Sequence, residues 1–145
     1  MKHKQVLTAV KTWIEKQYPH RLVSTREFVD LIVTTQEHTG EMFMVNTYLQ
    51  VECKKTDDDM DKAIGQCLRY YTSSQGAPTY LAVPEDYTEL KETQRVLEFP
   101  NLPIGLLLVH YNSEVMVLRE ARGKPATISV DLRKAINGTI DLTKA

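Results

Sequence analysis

Asp30, the tripeptide Glu52-Cys53-Lys54, and the pair Gln66 and Tyr70 are the residues of this chain whose types and spacing could do chemistry. Successive side chains on a strand point to opposite faces, so Glu52 and Lys54 project together while Val51 and Cys53 point into the interior. One strand tip then joins a carboxylate to an amine. The preceding run Glu27-Phe28-Val29-Asp30-Leu31-Ile32-Val33 reads as a strand that pairs with it as an antiparallel hairpin through His38-Thr39-Gly40-Glu41. That pairing adds a further carboxylate, Asp30. Such a set is suited to hold a divalent cation beside a phosphodiester.

The elements that must position these residues follow from hydrophobic periodicity. Lys4 to Gln17 places Leu7, Val10 and Ile14, with Val6 and Trp13, at helical spacing, and Tyr18-Pro19-His20 ends that helix. Arg21 to Thr35, rich in β-branched residues, reads as one long strand or two short ones. Met42 to Lys55 alternates, with Phe43, Val45, Leu49, Val51 and Cys53 on one face and Asn46, Tyr48, Gln50, Glu52 and Lys54 on the other. Thr56-Asp57-Asp58-Asp59 supplies an N-cap and first-turn acids for a helix to about Ser73, on which Lys62, Gln66 and Tyr70 form a stripe one turn apart. That stripe can face the strand tip bearing Lys54.

Downstream, Thr79 to Val83 is a short buried strand stopped by Pro84, and a helix is expected from Glu85 to about Glu98. Ile104 to Val109 is apolar on both faces, which suits a central strand covered on two sides. Asn112-Ser113 turns it into a final strand, Glu114 to Leu118; loop signals at Gly123-Lys124-Pro125 and a short helix from Asp131 to Ile136, closed by Asn137-Gly138, complete the chain. The element order implies an α/β fold, a mixed β-sheet flanked by α-helices.

The 145 residues fit a single domain, and 42% apolar content is enough for a real core. Only five apolar-leaning residues follow the charged N-terminus before Lys11, too few for a signal peptide, and no run approaches a membrane span; a cytoplasmic protein without membrane association is expected. Cys53 and Cys67 lack Cys-x-x-Cys or paired-His spacing, so both read as reduced core residues. The 18 basic against 19 acidic residues leave a net charge of -1, which argues against tight unspecific DNA affinity. Local asymmetry can still serve a groove, where Lys54, Lys55, Lys62 and Arg69, then Arg119, Arg122 and Lys124, gather.

Taken with their order and element types, Asp30, Glu52-Cys53-Lys54 and Gln66-Cys67-Leu68-Arg69-Tyr70 resemble the PD-(D/E)xK nuclease superfamily, the restriction-endonuclease-like fold, over roughly residues 4 to 109. The phrasing is most similar to the N-terminal nuclease domain of type I restriction subunits and to RecB-type nucleases. Val29 stands where the family's motif has Pro, and Glu15 is the candidate for the first-helix glutamate that many members use for the metal. The resemblance implies a Mg²⁺- or Mn²⁺-dependent deoxyribonuclease acting in restriction or DNA repair, alone, as a homodimer, or within a larger assembly. Asp30, Glu52 and the Cys53 backbone carbonyl would hold the metal. Lys54 would orient the attacking water or neutralise charge on phosphorus, and Gln66 would hold the nucleophile or Lys54. Tyr70, Lys55, Lys62 and Arg69 would contact nucleic acid.

Two other readings compete. The fold could be kept without the reaction, as a binding or regulatory module descended from a nuclease. Alternatively, Glu52 and Lys54 form an exposed cross-strand network worth less than about 1 kcal/mol. The Asp57 to Asp59 run reads as a helix cap rather than a second metal site, and neither His38 nor His110 has a partner at ligand or triad spacing.

Overall fold

A computed structural model describes residues 1–19, 22–24, 29–39, 42–123 and 126–131. Among these residues three helices and seven strands follow the order α1 (His3–Gln17), β1 (Leu22–Ser24), β2 (Leu31–Thr39), β3 (Met42–Cys53), α2 (Met60–Ser73), β4 (Thr79–Pro84), α3 (Leu90–Glu98), β5 (Gly105–Val109), β6 (Val115–Arg119) and β7 (Ala126–Asp131). The strands form one mixed sheet in the order β1-β2-β3-β4-β5-β6, with β7 paired to β3. The expected α/β arrangement is present. Among the described residues no helix is long and apolar enough to cross a membrane.

Alternation sorts the core into two layers. Leu31 and Val33 of β2, Leu49, Val51 and Cys53 of β3, Ala82 of β4, and Leu107 and Val109 of β5 face one side, where Val6, Ala9, Val10 and Ile14 of α1 cover them. Leu81, Val83, Leu106 and Leu108 face the other side, against Ala63, Ile64 and Cys67 of α2 and Leu97 of α3. Both faces of the central strands are therefore dry, which explains why β5 reads as an unbroken apolar run. At Gly105, paired with Tyr80, an added Cβ would lie 2.5 Å from the Tyr80 ring, so only glycine fits between that ring and the backbone.

β2 and β3 are antiparallel, whereas β3, β4 and β5 run parallel to one another. The carboxyl ends of the three parallel strands lie at one edge, where loops converge. A register shift between Val33 and Thr34 leaves Tyr48 as an extra residue in β3, so the alternation expected from Phe43 to Cys53 restarts at that bulge. The helix expected from Glu85 begins only at Leu90, because the Glu85 N–H goes to the Val109 carbonyl and the Tyr87 N–H to the Pro84 carbonyl. Strand β7 occupies residues expected to be irregular, pairing antiparallel with Met42 to Thr47. The helix expected over Asp131 to Ile136 begins on the last residue of β7 and otherwise lies outside the described residues, as does Lys124.

Candidate functional site

Asp30 sits in a bend immediately before β2, rather than within a strand. Leu31 pairs with Val51 and Ile32 with Gln50; extending this register by one pair puts Asp30 opposite Glu52. Like charges directly opposed across strands repel, so this arrangement needs a compensating proton or cation. The Cys53 N–H donates to Asp30 Oδ2 at 2.7 Å, which ties the bend to the end of β3. The Lys54 N–H goes instead to the Ala82 carbonyl of β4. Backbone groups of neighbouring strand residues point to opposite edges, so the Cys53 carbonyl lies on the Asp30 side with its N–H.

Glu52 is buried at 6% exposure, on the side of the sheet covered by α2. Its Oε1 meets Lys54 Nζ at 3.4 Å, and both side chains are largely withdrawn from water, which rules out the exposed network considered from sequence. The Glu52 carboxyl is raised to about 7, first by burial and then by the nearby Asp30 carboxylate, against the opposing pull of Lys54 and the Tyr70 hydroxyl. Among the described residues, Glu52 Oε2 and Gln66 Oε1 are buried without a hydrogen-bond partner. Each orphaned acceptor is costly, at roughly 1–3 kcal/mol. Each calls for a donor or a cation.

The α2 helix holds its stripe against this site by two devices. The Asp59 carboxylate caps it by accepting from the Lys62 N–H at 3.1 Å. At the other end, Gln50 Nε2 lies 3.0 Å from the Tyr70 carbonyl, 2.8 Å from Ser74 Oγ and 2.9 Å from Thr79 Oγ1, fastening β3 to α2 and β4. The aspartate run is a cap, as expected: Asp58 accepts from the Lys55 N–H at 2.9 Å, and Asp57 lies 3.6 Å from Lys55 Nζ. Both cysteines are free and buried.

The structure brings together Asp30, Glu52, Cys53 and Lys54, and sets Gln66 one turn before Tyr70 on α2, with no contact from Gln66 to those four seen among the described residues. It corrects two other assignments. Glu15 is exposed on α1, and the twelve residues separating it from His3 correspond to about 18 Å of helix, so it lies far from Asp30. Tyr70 is buried at 8% exposure against Val29 and Ile32, with its hydroxyl beside Glu52, and is not placed to contact a bound strand. Lys62 and Arg69 are exposed on α2, whereas Lys55 is partly neutralised by Asp57. Arg119 donates to the Leu102 and Ile104 carbonyls, and Arg122 to that of Asn101, so both brace the loop before β5.

His3 is the site residue that sequence reasoning missed. Its Nε2 lies 3.2 Å from Asp30 Oδ2, so the first turn of α1 contributes an imidazole where a glutamate from that helix was expected. Helical spacing carries no signal for this contact, which depends on where α1 starts relative to β2.

A divalent cation fits this donor set in one way. Among the described residues, no group of three His, Cys, Asp or Glu side chains could hold a metal ion, which argues against an all-protein cage. Mg²⁺ commonly uses only one or two carboxylates and keeps several waters. The Asp30 and Glu52 carboxylates, with the unpartnered Glu52 Oε2, meet that requirement. No protein-family model, no curated protein and no solved structure matches this chain.

Proposed function

We propose that this chain is a metal-dependent nuclease that hydrolyses phosphodiester bonds of DNA at the Asp30–Glu52–Lys54 site, in the manner of the PD-(D/E)xK proteins its sequence resembles. The observation that carries the reading is a buried glutamate with one orphaned oxygen, facing a second carboxylate and a half-buried lysine. Structural ion pairs seldom leave such an oxygen unsatisfied. Asp30 and Glu52, with the Cys53 carbonyl, would hold Mg²⁺ or Mn²⁺. When bound, that ion lowers the pKa of a coordinated water and neutralises charge on the phosphoryl oxygens. Gln66 Oε1, which lacks a hydrogen-bond partner, would accept a hydrogen bond from the attacking water and so orient it. Lys54 Nζ stabilises charge developing on phosphorus, and His3 fixes the Asp30 carboxylate.

In a cleavage assay on supercoiled, linear and branched DNA with Mg²⁺ or Mn²⁺, Asp30→Ala and Glu52→Gln should abolish turnover. Lys54→Met should lower it by about 10²–10³. Circular dichroism should show each variant folded. Full activity in Glu52→Gln would overturn the reading. One observation favours an inactive binding module: Asp30 Oδ2 is already engaged by the Cys53 N–H and by His3. That module would show neither cleavage nor carboxylate-dependent metal binding.

A further inference from the structure

Beside the first turn of α1, an open groove of about 1170 Å³ runs between that helix and the β5–β6 turn with the start of β6. Its lining carries Lys2, Lys4 and Lys16 and one acid, Glu114, while Glu85 and Asp86 outside the lining contact His110, Tyr111 and the Met1 amino group at one end. All three lysines are exposed, and among the described residues none is ion-paired. Charge of one sign concentrated along a concave surface selects a polyanion.

Two aromatic side chains give the groove a second property. Trp13 lines it while also packing on the core, and Tyr111, at 67% exposure, lines its other wall. Cations that follow a backbone, interleaved with aromatic faces, form the arrangement that holds unpaired bases by stacking. A duplex hides its base faces and gains nothing from them. Lys4, Thr8, Thr12 and Lys16 lie one turn apart along α1 and all line the groove, over about 18 Å, the scale of the smallest single-strand sites of about four nucleotides.

None of Asp30, Glu52 or Lys54 lines the groove; the link between it and the proposed cleavage site is the start of α1. Met1 and Lys2 line the groove's near end, while His3, next in sequence, contacts Asp30. The α2 flank, with Lys62 and Arg69, is the rival path. On α2 Tyr70 is buried and Tyr71 half-buried, and Asp57, Asp58, Asp59 and Asp61 at its start would repel phosphate.

We infer that the groove between α1 and β6 binds a single-stranded polynucleotide, with Lys2, Lys4 and Lys16 on its phosphates and Trp13 and Tyr111 stacked on its bases. This names the substrate form for the proposed nuclease and rests on that reading for its catalytic meaning; binding itself requires no cleavage.

Trp13 is the only tryptophan in the chain, so its fluorescence reports directly on the groove. The test titrates fluorescein-labelled oligothymidylate, or the same strand annealed to oligodeoxyadenylate, into the full chain in EDTA, following anisotropy and, with unlabelled strands, Trp13 quenching. Expected are quenching by the single strand, an affinity falling by roughly two decades per decade of salt for three phosphate contacts, and binding at least about tenfold weaker in Lys4→Glu/Lys16→Glu. Lys62→Glu/Arg69→Glu should bind like the wild type.

Equal or tighter quenching by the duplex would overturn the single-strand claim. Loss of binding in the Lys62→Glu/Arg69→Glu variant alone would move the path to α2. Polyglutamate displacing the oligonucleotide at equal charge, with no quenching by the strand, would make the groove a general anion surface. Binding as expected without cleavage under any metal would leave the groove standing and remove the nuclease reading; cleavage without Trp13 quenching would remove the groove alone.

Discussion

Glu52 concentrates the electrostatic tension of the molecule. Its carboxyl is raised from 4.5 to about 7, first by burial and then by Asp30. Between these values the folded chain holds a proton that the unfolded chain has released, so the stability this group provides is complete below about pH 4.5 and is lost as pH rises through 7. A shift of this size corresponds to something on the order of 3 kcal/mol. Glu52→Gln should therefore raise the midpoint of urea unfolding at pH 8 and change it little near pH 4.5; an unchanged difference between the two pH values would refute the assignment. The same proton must leave when a cation binds below neutrality, so metal uptake there should release protons. At this scale the sequence was informative where side chains lie two apart on a strand, as Glu52 and Lys54 do. It was silent on His3, whose contact with Asp30 is made across separate elements, and it misjudged Tyr70, whose helical stripe runs from exposed Lys62 into the core.

Elements with strong periodicity and local stop signals were legible: α1 from its Val6, Val10 and Ile14 stripe, α2 from the Asp59 cap, and β5 from its continuous apolar run. Tertiary hydrogen bonds decided the rest. The Glu85 carboxylate accepts from the Tyr111 N–H at 2.6 Å and lies 3.3 Å from His110 Nδ1, so residues expected to open a helix bind the end of β5 instead. Strand β7 was missed because Ala126-Thr127-Ile128-Ser129-Val130-Asp131 alternates only weakly in polarity and exists by pairing with the first half of β3. The Gln50 clamp gives this scale its own test. Gln50→Leu leaves the Tyr70 carbonyl, Ser74 and Thr79 without their shared donor in a buried setting, and should cost about 2 kcal/mol by urea denaturation. Asp59→Ala, which removes only a cap, should cost about 1 kcal/mol. Equal losses would mean that the clamp adds nothing beyond ordinary helix ends.

Across the whole molecule, the parallel alignment of β3, β4 and β5 brings their carboxyl ends to one edge, where Glu52 and Lys54 end β3. The near-neutral net charge conceals this organisation, since aspartates crowd the start of α2 while lysines line the groove beside α1. The central claim is that the Asp30 and Glu52 pair exists to hold a divalent cation. Its most direct test is calorimetric titration of Mn²⁺ into the wild type and Glu52→Gln at neutral pH in two buffers of different ionisation enthalpy. Expected is saturable binding by the wild type, with a buffer-dependent heat that reports proton release, and loss of that isotherm in Glu52→Gln. Binding that survives in the variant, or none in the wild type, would contradict the claim.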